Sequence, residues 1–483
     1  MKPLKTIIMT TKSRSIKTVA LIAALFLSAA IYAQSNVKST SKAGAAKPAT
    51  VSVPSNSRGI LKSGAAKVDI TPNEQELLAA KSLGAADRIH ARAIVVSNGI
   101  TSAALISIDA GGVSAGLFDA VTKRAETDLG IPASNVIINA THTHSAARIS
   151  NDKLIEYVYG VIKTAFEKMQ PATMSWGTGV SYINVNRNIF DKERRTWWEG
   201  PNYDGQSDKT VAVITFRNLK GEPIAVYYNY AMHAVAAGQL DMVCGDAPGA
   251  TSNYIEDSFD DSVVALWSEG ACGDQNPLFF QQTFDLRDIR IADYASRGED
   301  ISNRMPPGGT GLDRNNPKVA KLMNQQKEIC QSMGQMLGEE VMHVMRTVKR
   351  SENSIRITSA QQIIKFPGRR QLNGGGRAGY AGQYEDADSV SAKLFYLQIE
   401  DIALCAMGSE VFNQIAVRLK NESPFARTIM VTVANGGSNT GYIPSDVAYG
   451  YQTFEVLSSR IKPGYAESGI VNGFLDLMQK TKY

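Results

Sequence analysis

The chain has 483 residues, 43% hydrophobic and 20% charged, enough to bury a large core in one big domain or two ordinary ones. Its formal charge of +5 comes from the N-terminus: five of its 51 basic residues, Lys2, Lys5, Lys12, Arg14 and Lys17, precede residue 34 in a stretch without acids, and the remaining 46 face 46 acidic residues. This balance excludes nucleic acid or a broad anionic surface as the main partner, and four cysteines at spacings that fit no zinc knuckle exclude a disulfide scaffold, leaving buried thiols with at most one bridge.

The basic residues, the apolar run 19–30 and the small-residue end at Ala33 read as a signal peptide over 1–33, which implies a periplasmic or secreted protein. The run falls short of the roughly 20 residues a membrane span needs. Residues 34–58, rich in Ser, Ala, Lys, Thr and Pro, read as a disordered tether. The folded domain is expected over 59–483. A strand at 65–71 ends at Pro72, and strands at 91–96 and 103–108 make a hairpin around Asn98-Gly99. A helix over 117–129 precedes a strand at 136–138. Ile155, Val158, Val161, Ile162 and Phe166 then follow a helical repeat over 154–169. Strands are predicted at 174–185, 210–216, 223–230 and 263–267, and a long amphipathic helix at 319–348. The chain resumes with strands at 392–399, 402–407 and 428–433 and a helix starting near Glu410. Two stretches are expected to be irregular: 278–317 as a charged surface excursion, and 367–388, with Arg369, Arg370 and Arg377, as a mobile lid. No solenoid repeat is present. The fold class is α/β, a large single catalytic domain with mixed β-sheets and flanking helices.

Thr141-His142-Thr143-His144-Ser145 holds two of the chain's five histidines. If the strand runs this far, imidazoles two residues apart share a face and can reach one metal. His233 closes the strand 223–230, and Glu410 follows Met407-Gly408-Ser409. Imidazole nitrogen and carboxylate oxygen are zinc ligands, and a catalytic zinc keeps one position for water. Singly, these residues have plainer readings, a loop histidine or a helix-start glutamate favoured by the dipole. His90 and His343 read as structural.

Together with Asp69-Ile70-Thr71-Pro72, Gly245-Asp246-Ala247-Pro248-Gly249, Gly273-Asp274 and Gly441-Tyr442-Ile443-Pro444, these motifs resemble, in order, the catalytic domain of the neutral/alkaline non-lysosomal ceramidases. The resemblance runs from Ala65 to the C-terminus, without a counterpart of the family's immunoglobulin-like domain. It implies one Zn2+ held by His142, His233, Glu410 and Tyr442, with His144, Arg187 and Asp274 as catalytic residues. The reaction it implies is cleavage of an N-acyl amide by metal-activated water, with a small-molecule or lipid-like acyl substrate and transient membrane-surface contact.

Three departures from that family pattern bear on the substrate. Gly273-Asp274-Gln275-Asn276-Pro277 has no serine where the ceramidases place one in the site. Ala146-Ala147-Arg148 replaces an expected glycine and proline, and Phe454 stands where a second site tyrosine is expected. Metal hydrolysis tolerates these changes better than ceramide specificity does, so hydrolysis of a glycan or ester stays open. So does a non-catalytic metal-binding protein. A competing class comes from Gly112-Val113-Ser114-Ala115-Gly116, which matches the nucleophile elbow of serine esterases between a strand and a helix, although no suitably placed histidine follows it.

Overall fold

The computed structural model of the protein describes residues 50–51, 57–147, 149–302, 311–373 and 379–481. The expected signal peptide lies outside these residues, as does most of the expected tether. Two residues within the tether stretch are a short strand, β1 (Thr50–Val51). The strands that follow are β2 (Gly59–Ile60), β3 (Lys62–Asp69), β4 (His90–Ser97), β5 (Ser102–Ile108), β6 (Val136–Ala140), β7 (Gln170–Val180), β8 (Asn184–Asp191), β9 (Thr196–Asn202), β10 (Thr210–Asn218), β11 (Pro223–Tyr230), β12 (Val264–Glu269), β13 (Gln275–Pro277), β14 (Ser354–Ile355), β15 (Ile357–Gln371), β16 (Tyr384–Ile399), β17 (Ile402–Met407) and β18 (Arg427–Val431). The helices are α1 (Glu74–Ala79), α2 (Ala115–Leu129), α3 (Asn151–Glu167), α4 (Asp246–Asp257), α5 (Gln281–Ser296), α6 (Pro317–Thr347), α7 (Asn413–Glu422), α8 (Phe454–Ser458) and α9 (Ala466–Thr481).

The apolar runs of the first half pair into an eight-stranded sheet, β12-β11-β10-β7-β3-β4-β5-β6. Only Lys62↔Pro171 and Ser63↔Gln170 join β3 to β7, and the sheet doubles over there, so β12 packs against β4, β5 and β6. Ile94, Val96, Leu105, Ile137, Ile214 and Leu266 fill the layer between. The outer faces are covered by helices: α3 on β3 and β4, α4 on β12, and α6 on β7 and β10. α3 shows why: Val158, Val161, Ile162 and Ala165 fall on one side of the helix and are buried. Each large aliphatic so buried stabilises the fold by roughly 1.5–3 kcal/mol. A second sheet, β1-β15-β16-β17-β18, carries α9 on β15 and β16 and α7 on β18.

Three strand pairs are parallel, β5 with β6, β11 with β12 and β17 with β18. The chain leaving the carboxyl ends of β6, β11, β12, β17 and β18 brings the candidate residues together, the end of a sheet where α/β folds place ligands. Backbone bonds tie the two sheets here, from Thr432 N to Glu269 O and Asn435 N to Ile138 O, both 2.9 Å.

Four local expectations change. β6 stops at Ala140, because His142 adopts a left-handed φ of 61° that a strand cannot accommodate. The stretch 278–317 contains α5, whose buried side carries Thr283, Leu286, Arg287, Arg290 and Tyr294. Arg290 pairs with Asp241 at 2.7 Å, so a buried face looked charged in the sequence. The expected lid is the end of the β15–β16 hairpin up to Gln371 and from Tyr384, with 374–378 outside the described residues. Pro367 fits this strand at a register shift between Phe366 and Gly368. The helix expected from Glu410 starts at Asn413, leaving Glu410 in a loop. All four cysteines are buried and unbridged.

Candidate metal centre

The loop after β6 is clamped to the loop after β11 by His144 N to Ala234 O (3.0 Å), Ser145 Oγ to Ala237 O (2.8 Å) and Thr143 Oγ1 to Cys244 O (2.8 Å). These contacts gather His142, His144 and His233, whose ligand-type nitrogens lie within 4.8 Å of one another. Although the strand does not extend to the histidines, both still reach one site, by a loop.

His142 donates Nδ1–H to Gly111 O and His233 donates Nδ1–H to Cys272 O, each at 2.7 Å. A carbonyl only accepts, so each Nδ1 carries the proton and each neutral ring turns its Nε2 lone pair inward. Both Nε2 atoms face Glu410 Oε2, at 2.8 Å from His233 and 3.3 Å from His142. His142 Nε2 is buried without a hydrogen-bond partner. Acceptors converging on one point need a cation, either a proton or a metal ion. The carbonyl-anchored imidazoles are the outer support that metal-binding histidines use, so this donor set fits a metal.

Electrostatics agree with a place for one or two positive charges. Burial opposes a charged His142, but the Glu410 carboxylate outweighs it and the pKa rises. Burial, then the Arg187 charge, lowers His233 to about 4. The His144 ring is open to solvent yet enclosed by protein on its other sides, and this crowding, then the charges on His142 and His233, lowers it to about 3. Glu410 is held well below the carboxylate range: burial pushes the other way, and the two imidazoles prevail.

Glu410 and Tyr442 are brought side by side by their backbones, with Ile443 N to Glu410 O at 2.9 Å and Phe412 N to Ile443 O at 3.0 Å. Gly273 lies against the same turn. A Cβ there would meet the Val411 carbonyl at 2.8 Å, so glycine is what lets the segment after β12 approach Glu410. Burial and the neighbouring Glu410 raise the Tyr442 pKa well above its usual value.

Arg187 is buried beneath this group. Its Nε donates to Glu455 Oε1 (2.5 Å), Nη1 to Asn276 Oδ1 (3.2 Å), and Nη2 to Gly273 O (2.7 Å) and the Tyr442 hydroxyl (3.4 Å). The Asp274 carboxylate accepts from Asn413 N and Asn186 Nδ2, both at 2.8 Å, and burial raises it to about 6. Glu455, Gly111 and Cys272 were not singled out from the sequence. Gly111-Gly112 after β5 was a usable signal; the carbonyl of Cys272 left none. Ser114 caps α2, its hydroxyl accepting from Leu117 N at 3.1 Å, which accounts for the elbow-like motif as a helix start.

The neutral/alkaline non-lysosomal ceramidase family, N-terminal region, matches residues 64–369. The chain belongs to that family. Similar curated proteins include neutral ceramidase B of Dictyostelium discoideum, 25% identical over 138 residues (25% of this chain and 19% of that one), and neutral ceramidase of Drosophila melanogaster, 26% identical over 197 residues (36% and 28%). The matched stretches thus span less than a third of those relatives. Among solved structures, neutral ceramidase from Pseudomonas aeruginosa superposes with a TM-score of 0.62 at 14% identity, over 86% of this chain and 74% of that one. A structure titled ceramidase complexed with C2 gives 0.63 at 14% identity, over 88% and 76%. At such identity the likeness is one of fold, and it agrees with mixed sheets and flanking helices in one large domain. No helix among the described residues is long and apolar enough to cross a membrane.

Proposed function

We propose that the protein is a zinc-dependent amidohydrolase that cleaves an N-acyl amide, with a ceramide-like lipid as the first substrate class to test. The observation that carries this reading is the convergence of His142 Nε2 and His233 Nε2 on Glu410 with both Nδ1 atoms anchored to carbonyls. His142, His233, Glu410 and Tyr442 would hold the ion, two imidazoles and two oxygens being a set zinc accepts. Bound there, zinc supplies Lewis acidity toward water and toward the scissile carbonyl. His144 is accessible beside the two inward-facing imidazoles, so it is placed to take a proton from the attacking water and pass it to the leaving amine. Arg187 and Asp274 serve from below, Asp274 by fixing Asn186 and the start of α7.

A lipid-like substrate would bring the β8–β9 hairpin, which carries Arg187, to a membrane surface, and exposed Tyr182, Phe190 and Tyr203 on and beside that hairpin support such contact. Co-sedimentation with phosphatidylcholine vesicles tests it, and equal recovery with and without vesicles would count against it. Export with cleavage near Ala33 is part of the same reading and is tested by N-terminal sequencing of the mature protein, an intact Met1 in a soluble cytoplasmic form being the contrary result. The reaction is tested by assaying purified protein against N-acyl lipids, acylated amino sugars and simple esters, with and without chelator. Chelator-sensitive amide hydrolysis supports the reading; cleavage of esters alone, or metal binding without turnover, would replace it.

A further inference from the structure

Glu455 is fully buried, its Oε1 bound to Arg187 and its Oε2 without a hydrogen-bond partner. Burying an ion pair seldom stabilises a fold more than apolar packing would, so stability alone is a poor reason for this one. Its geometry suggests another. Glu455, Asn276 and Gly273 O take three sides of the guanidinium, which is 3% exposed. A further polar neighbour is the Tyr442 hydroxyl at 3.4 Å. The Phe454 ring, one residue before Glu455, packs edge-on to the Tyr442 ring at 5.7 Å and lies under the guanidinium at 5.0 Å. The tyrosine is therefore braced on its ring by Phe454 and at its hydroxyl by Arg187, and the Nε–Glu455 contact is the charged one of the three that fix the guanidinium's direction.

We propose that Glu455 is a positioning residue of the metal centre: it fixes Arg187, and Arg187 directs the Tyr442 hydroxyl to the point that Glu410, His142 and His233 face. This rests on Tyr442 being a ligand, but not on the substrate or on turnover.

The test loads the metal-free protein with cobalt(II), whose visible spectrum reports the ligand set, and measures zinc affinity in parallel. Tyr442→Phe should change the cobalt spectrum. Glu455→Gln should shift it the same way and weaken zinc binding about tenfold, the usual scale for an outer-shell partner. In the Tyr442→Phe background the Glu455 change should have no further effect, since its influence passes through the phenol. Should Glu455→Gln leave an unpaired guanidinium that prevents folding, Arg187→Met with Glu455→Leu removes both charges together and is expected to give the same spectral shift. A wild-type spectrum and affinity in the Glu455 variants, equal losses with and without the tyrosine hydroxyl, or no effect of Tyr442→Phe on the cobalt spectrum would each overturn the proposal. Failure of every amide substrate with a normal metal site would remove the hydrolase reading and leave this one intact.

Discussion

His233 Nε2 lies 2.8 Å from Glu410 Oε2, although the two residues are 177 positions apart and follow strands of different sheets. The two sheets are held together at this point by the Thr432–Glu269 and Asn435–Ile138 backbone bonds. The centre is thus a property of the junction, and changes to the junction should be read out as metal affinity before they are read out as global unfolding.

Gly273→Ala probes that junction. The new Cβ would press on the Val411 carbonyl, which is backbone and cannot rotate aside. A loss of about 1–3 kcal/mol in stability is expected from overpacking, with weaker zinc binding because Glu410 is displaced. Thermal unfolding and zinc titration check it, and wild-type affinity in a destabilised variant would show that the turn does not set Glu410.

Ser114→Ala separates the metal route from a serine esterase. The hydroxyl caps α2, so the expected cost is about 1 kcal/mol of stability with turnover retained. Lost turnover in a folded protein with normal metal content would revive Ser114 as a nucleophile.

Asp87 gives a pH signature away from the metal centre. Burial, followed by the Asp109 and Asp246 charges, pushes it up to about 6, against the hydrogen bond from Gly245 N. A carboxyl whose folded pKa lies above its unfolded value of 3.8 favours the fold in acid, and that contribution is lost as pH rises from about 4 through 6. Asp87→Asn keeps an acceptor for Gly245, so it should flatten this slope and add about 1–3 kcal/mol at neutral pH. Denaturant unfolding across that pH range checks it; an unchanged slope would assign the dependence to other groups.

The donor residues were legible in the sequence because three of five histidines follow the ends of two strands and a carboxylate follows a third. Their arrangement was less so. The strand could not run on to His142 with its positive φ, and no residue pattern announces that Cys272 offers its carbonyl to an imidazole. α5 was hidden because Arg287 and Arg290 occupy its buried face, where periodicity reads charge as exposure. Residues 367–388 read as a loop because Arg369 and its neighbours are polar, yet Arg369 is satisfied by Ser459 O and Val456 O and by the Tyr384 ring, so it belongs to a strand. Glu455 carried no signal, since a buried acid and a surface acid look alike in one sequence.

The most direct measurement is metal content and turnover, taken together, in His142→Ala, His233→Ala and His144→Ala. The three imidazoles lie within one ligand-sized space, but only His142 and His233 face Glu410. The first two variants should lose both zinc and turnover, since binding and activation depend on the same ligand bond. His144→Ala should keep its zinc and lose turnover by roughly 100-fold or more, as expected for a missing general acid–base group. Full zinc occupancy in His142→Ala and His233→Ala, or hydrolysis that persists in the stripped protein, would contradict the assignment of this centre.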